Sequence, residues 1–287
     1  MSTAAGPSGS PERGAIPAPA FAPPLPAGVV ERLGALAVCA GGRILEHYSA
    51  RCVAKAKSDG SLVTEADVDA EAIILAGLPD ILPGIPVVSE EAAAAGIVPQ
   101  CDGTFVLVDP LDGTREYVSR NGEFTVNIAV VSNGRPVLGV VYAPVSGKLW
   151  LGDVAAGRAE AMIVQAGAPL SQAGSRHAIR ARKSPETGLV ACVSRSHCDP
   201  ATDAYLADLP VGERREAGSS VKFCLIAEGE ADLYPRFGPT MQWDTAAGHA
   251  ILAAAGGSVT CPDGSALPYG HREGGFRNGA FIARGAT

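Results

Sequence analysis

The stretch FVLVDPLDGT, residues 105–114, restricts the fold of this chain more than any other. Phe105, Val106, Leu107 and Val108 form an unbroken apolar run, which reads as a strand buried on both faces. The run ends at Asp109. After Pro110 and Leu111 comes a second acid, Asp112, followed by Gly113 and Thr114. An unpaired carboxylate removed from water is strongly unfavourable. Two close together also repel and tend to retain a proton. A fold that accepts this strand must bring something to offset the charge. Arg115 is one candidate, and a divalent cation would satisfy both acids together.

Three more acids fall where rigid elements present side chains. Asp59 lies in a turn before a helix, Glu90 ends the strand IPVVSEE, and Asp244 begins a helix. Taken singly, each has an ordinary explanation. DPLDGT is a turn, Ser58-Asp59-Gly60-Ser61 is another, Glu90-Glu91 is a solvated pair, and Asp244 and Asp67 are helix-cap residues. Taken together, they supply the hard oxygen ligands that suit Mg²⁺. No His/Cys set points to zinc, and no calcium-loop spacing occurs. Gly113 lets backbone N–H groups approach an anion, and TREYVSR begins a short helix whose N-terminus favours a phosphate. The chemistry expected is metal-assisted phosphate ester hydrolysis, with Thr114 holding the attacking water and Asp59 taking its proton.

The rest of the chain reads as an α+β half followed by an α/β half. Val30, Leu33, Ala37, Ala40 and Ile44 form the stripe of a helix over 28–50. Thr64 and Asp67 predict a capping box opening a second helix that ends near 78. FTVNIAVV, VLGVVYA and KLWLG predict a meander with turns at Asn133-Gly134 and Ser146-Gly147. Beyond a boundary near 152–170, GLVACV and ADLYPR read as strands. SSVKFCLIAEG reads as a helix with hydroxyl caps, and WDTAAGHAILAAAGG as a small-residue helix. The expected organisation is an Ala/Pro-rich disordered tail (1–27), an N-terminal metal-site domain (28–160) and a C-terminal substrate domain (161–287).

Composition excludes several classes. The 287 residues carry a formal charge of −7, 47% hydrophobic and 18% charged residues, and no long apolar run. Nucleic acid polymers and an integral membrane segment are therefore not expected. Seven cysteines without a CxxC pair read as reduced thiols in a cytoplasmic protein. Loose association with the inner face of a membrane stays open.

VSEE, VDPLDGT and WDTAAG, in this order, resemble the three metal motifs of the inositol monophosphatase superfamily. These are Mg²⁺-dependent, lithium-sensitive phosphomonoesterases with an αβαβα sandwich fold. REYVSRNGEFTVNIAVV, VSRSH and GSSVKFCLIAEGEADLYPRFGPT resemble its 3′(2′),5′-bisphosphate nucleotidase branch, of the CysQ type. The resemblance runs from about residue 28 to the C-terminus. It implies removal of the 3′-phosphate of adenosine 3′,5′-bisphosphate to give AMP, clearing a by-product of sulfate assimilation.

It also implies two or three Mg²⁺ per site. Glu90 and the Leu111 carbonyl bind the first, Asp109 bridges, and Asp112 and Asp244 bind the second. Glu90, Leu111, Asp112 and Asp244 also count as substrate-binding, and Glu90 as catalytic beside Asp59 and Thr114. Gly113 and Thr114 contact the phosphate, while Ser194, His197, Gly218 and Lys222 hold the nucleotide. One departure stands out: Leu62 replaces the proline usual in this branch, which loosens the loop carrying Asp59. That bears on a third metal and on lithium sensitivity. The alternatives are an inositol or sugar phosphate monophosphatase, or a non-catalytic protein that binds phosphorylated metabolites. A monomer and a homodimer are equally compatible with the sequence.

Overall fold

The structure is a computed structural model that describes residues 25–49, 54–56, 62–195, 199–271 and 274–286. Residues 1–24, Asp59 and His197 lie outside the described residues. The first helix, α1 (Val29–Ser49), buries the expected stripe. A two-residue antiparallel pair, β1 (Lys55–Ala56) and β2 (Leu62–Val63), leads into α2 (Glu65–Ile81). The capping box is formed: Ala66 N–H donates to Thr64 Oγ1 at 3.2 Å, and Thr64 N–H donates to Asp67 Oδ2 at 2.7 Å. The helix runs past residue 78, through Pro79, and its last turn is held by Leu82 N–H on the Leu78 carbonyl at 2.8 Å.

Seven strands form the larger sheet in chain order: β3 (Val87–Ser89), β4 (Thr104–Asp112), β5 (Thr125–Ser132), β6 (Arg135–Ala143), β7 (Lys148–Asp153), β8 (Arg158–Ile163) and β9 (His177–Ala178). β3 is parallel to β4 and every other pair is antiparallel. Asn133 and Gly134 turn β5 into β6 with φ of 49° and 74°, the left-handed pair that matches strand twist. Short helices α3 (Glu90–Ala94) and α4 (Thr114–Val118) follow β3 and β4.

The smaller sheet has the order β11, β10, β12, β14, β13. Its strands are β10 (Leu189–Ser194), β11 (Val211–Ala217), β12 (Leu233–Arg236), β13 (Ser258–Thr260) and β14 (Phe281–Arg284). Three helices belong with it: α5 (Pro200–Ala207), α6 (Val221–Ala227) and α7 (Gln242–Ala254).

Burial shows how these pieces stack. Val126, Ile128 and Val130 of β5 pack with α1 and α2, while Ala129 and Val131 face the cluster that contains α6 and α7. The alternation is what a strand covered on both faces requires. α6 and α7 are covered in turn by Tyr234, Phe281 and Ala283 of the smaller sheet. Leu206 of α5 closes the far face with Ala191, Leu233 and Ile282. The expected αβαβα sandwich is formed.

α7 sits very close to the larger sheet. A Cβ on Gly139 of β6 would lie 2.2 Å from the Ala247 carbonyl, and one on Gly152 of β7 would lie 2.6 Å from Ile251 Cα. No helix among the described residues is long and apolar enough to cross a membrane.

Candidate active site

DPLDGT is not a simple turn after a strand, as the sequence suggests. β4 continues through Asp112, with Asp109 opposite Asn127 and Asp112 opposite Thr125. Three residues on β4 therefore span two on β5, which is a β-bulge. Residues three apart in a regular strand point to opposite faces; one extra residue restores them to the same face. The burial pattern agrees. Phe105 and Leu107 share a face with the α6/α7 layer, and Asp109 continues it. Leu111 has turned to the α1/α2 side. Pro110 suits the irregularity because it has no N–H to lose from the ladder.

Gly113 follows at φ +94°, and a Cβ there would meet the Glu123 carbonyl at 3.2 Å. This left-handed residue starts α4, the short helix expected from TREYVSR, and sets Thr114 at the cleft.

Glu90 reaches the same place through strand pairing. Ser89 is opposite Val108 in parallel register, so the next residues, Glu90 and Asp109, emerge side by side. Glu71 of α2 accepts the N–H groups of Glu91 and Ala92 at 3.0 and 3.2 Å and fixes the start of α3. Asp244 arrives from the other side of the bulge. It is the third residue of α7, not its cap, and its Oδ2 accepts Met241 N–H at 2.8 Å.

These groups line one cleft of about 950 Å³. Burial, then the charges of Glu90, Asp112, Asp244 and Asp67, hold the Asp109 carboxyl well above the usual carboxylate range. Burial, then Asp112, does the same to Asp244. Burial also raises Asp112, opposed by Lys222 and by hydrogen bonds from Ser220 and Asn127. Lys222 is thus a cation acting on Asp112, and Arg115 lies exposed at the cleft.

Among the described residues, no three acidic, His or Cys groups already close into a cation cage. One oxygen of each of the three aspartates rests on a protein donor: Asp109 Oδ1 on Leu111 N–H at 3.0 Å, Asp244 Oδ2 on Met241 N–H, and Asp112 Oδ2 on Ser220 Oγ at 2.9 Å. The donor set nevertheless fits a hard divalent cation. Glu90, Asp109, Asp112, Asp244 and Leu111 line the cleft, and none of its described lining residues is His or Cys.

Thr114 has a partner that the sequence reading left as a helix cap. Its hydroxyl is 3.3 Å from Asp67 Oδ1 and 3.4 Å from the Leu111 carbonyl. Asp67 is therefore both the capping acid of α2 and the carboxylate beside Thr114.

The second half of the chain supplies more of the lining. Ser194 ends β10 and lines the cleft. Lys222 is buried, and its Nζ donates to the carbonyls of Ala217 and Ser219 at 3.0 and 2.7 Å and lies 5.0 Å from the Tyr234 ring centre. Burial lowers its pKa to about 8, and the charge of Arg236 pushes the same way. Gly218 supports this lining from behind. Its N–H donates to Glu123 Oε2 at 2.8 Å, and a Cβ there would stand 2.6 Å from the Glu123 carbonyl.

Arg236 and Ser219 also line the cleft and were not found from the sequence. Arg236 closes the strand LYPR, which reads as structure alone. Ser219 reads as a cap, yet it has φ +46° and a buried hydroxyl without a hydrogen-bond partner.

The sequence profile of the inositol monophosphatase family matches residues 29–284. The chain belongs to the inositol monophosphatase family. The relatives within the family are specific. The 3′(2′),5′-bisphosphate nucleotidase CysQ of Salmonella typhimurium is 46% identical over 255 residues, covering 88% of this chain and 98% of that protein. The protein of the same name from Escherichia coli K12 is 46% identical over 225 residues, 78% of this chain and 86% of that one. The crystal structure of CysQ from Bacteroides thetaiotaomicron superposes with a TM-score of 0.73 at 37% identity, covering 90% of this chain and 97% of that one. The inositol monophosphatase of Anabaena, at 23% identity and a TM-score of 0.66, shares the fold over 90% of each chain.

Proposed function

We propose that this chain is a Mg²⁺-dependent phosphomonoesterase that hydrolyses the 3′-phosphate of adenosine 3′,5′-bisphosphate, giving AMP and phosphate. The observation that carries the reading is that two kinds of charge line one cleft, a carboxylate cluster and the cations Lys222 and Arg236. A substrate with one phosphate to lose and one to keep fits both. The names of the relatives support the choice of nucleotide.

Glu90, Asp109, Asp112, Asp244 and the Leu111 carbonyl would hold the cations, two at the least. Such ions, when bound, neutralise charge on the phosphate and make water acidic enough to attack near neutral pH. The chain's own residues do the rest. Thr114 and Asp67 form the pair that orients the attacking water: the hydroxyl donates to the carboxylate and keeps lone pairs to accept from water. Asp59, which lies outside the described residues, keeps the role of taking the water's proton. Gly113 leaves room for a phosphate oxygen beside the backbone. Lys222 and Arg236 bind the retained 5′-phosphate as positive charges in a poorly hydrated wall. Ser194, Gly218 and His197 are assigned to the nucleoside side.

The test is phosphate release in Mg²⁺ from adenosine 3′,5′-bisphosphate and from inositol 1-phosphate at equal concentration. We expect a clear preference for the nucleotide. Preference for inositol 1-phosphate would remove the nucleotide pocket and leave the metal site. Release from neither would return the chain to a binding role.

A further inference from the structure

Ser220 makes connections that a helix cap does not need. It precedes α6 and is buried, yet it gives that helix no side-chain cap. Its Oγ accepts Asn127 Nδ2 at 2.7 Å. Two acceptors share its one proton: Asp112 Oδ2 at 2.9 Å and the main-chain carbonyl of Asp244 at 2.7 Å. Asn127 also donates to Asp112 Oδ2, at 3.2 Å, and its own Oδ1 accepts Thr125 Oγ1 at 3.0 Å. One hydroxyl therefore ties the side chain of an acid on β4 to the backbone of an acid on α7. It does so from the start of α6, beside Ser219 and Lys222 of the cleft.

We infer that Ser220 is a positioning residue for the cation site. It holds the Asp112 carboxylate and the first turn of α7 in register, so that Asp112 and Asp244 present their remaining oxygens to the same ion. The inference rests on the metal-dependent reading given above. A carboxylate oxygen that receives two donors is fixed in orientation, which leaves its partner oxygen directed at one place. Groups of this kind typically contribute 10- to 100-fold to metal affinity without touching the metal. A serine retained for packing alone would be replaced by alanine without effect on the ion. A serine serving the nucleotide would affect the nucleotide first.

The experiment is calorimetric titration of Mg²⁺ into the full-length protein and into Ser220→Ala. AMP is then titrated into each at saturating Mg²⁺. The expected result is a Mg²⁺ dissociation constant raised about 10- to 100-fold by the substitution, with AMP affinity changed by less than about threefold once the ion is bound. Ser220→Cys keeps the volume of the side chain and offers only a weak donor. It should weaken Mg²⁺ in the same direction, and it carries the test if the alanine variant does not fold. Mg²⁺ affinity within about threefold of the parent in the folded variants overturns the inference, as do equal losses for Mg²⁺ and AMP. A parent protein that binds Mg²⁺ but not AMP sinks the nucleotide reading instead, and the Mg²⁺ comparison still decides the role of Ser220.

Discussion

Asp109 is the acid on which the other carboxylates of the site converge. It is buried, and the four charges that act on it most strongly are carboxylates. One oxygen accepts Leu111 N–H, a bond that asparagine would keep. Asp109→Asn should therefore act in opposite directions on function and stability. Phosphate release should fall by more than the ~10- to 100-fold typical of a change outside the ligand shell. Thermal unfolding in a chelator should rise by roughly 2 °C or more, the shift that about 1 kcal/mol produces in a chain of this size. A lower unfolding temperature in chelator would mean that the Asp109 charge is compensated within the protein.

At the scale of elements, α7 sets the position of Asp244, and its seat on the sheet depends on Gly139 and Gly152. Gly139→Ala would drive a methyl into the Ala247 carbonyl, a backbone atom that cannot rotate away. We expect a loss of about 1–3 kcal/mol, the usual range for an overpacked core, read from urea unfolding midpoints. Mg²⁺ affinity should weaken as well, because the helix carries Asp244, one of the proposed ligands. An unchanged midpoint would show that α7 can lift from the sheet at no cost.

The same scale explains what could be read in advance. α1 was legible from its apolar stripe, α2 from the Thr64–Asp67 capping box, α7 from its small residues closed by Gly256-Gly257, and the meander from its turn pairs. β11 was not: Glu213, Arg214, Arg215 and Glu216 give an edge strand no apolar pattern. β8 is alanine-rich, and β14 has only four residues. The acids of the site were legible as a set, but the bulge was not, because Asp-Pro and Asp-Gly are turn pairs in most chains. Asp67 beside Thr114 needed contact across 47 positions of sequence. Ser219, Ser220 and Arg236 each looked complete as a local feature, and nothing local marks the side of the helix or strand on which a cleft will open.

Across the whole molecule, the polar groups behind α7 add a dependence on pH. His249 Nδ1 lies 3.1 Å from Tyr269 Oη, which is also 3.1 Å from Thr245 Oγ1 at the cleft. Burial lowers the His249 pKa from 6.5 to about 4. Between those values the unfolded chain binds a proton that the folded protein refuses. Stability from this group is therefore complete above pH 6.5 and is lost as pH falls towards 4. The loss is at most about 3 kcal/mol, an upper bound because the ring keeps some contact with solvent. Urea unfolding at pH 7, 5.5 and 4.5 should show a shallower decline for His249→Phe than for the parent. Parallel declines would mean that His249 takes up its proton in the folded state.

The seat of α7 also governs how this enzyme can be redesigned. Sheets press on the helix from two directions, and its residues serve as spacers between them. Enlarging one shifts the other sheet before it reshapes the cleft. The turn at 237–241, between β12 and α7, borders the cleft through Pro239, Thr240 and Met241 and is not pressed between the sheets. Directed evolution for a new phosphorylated substrate should accumulate its changes there, while α7 stays as it is.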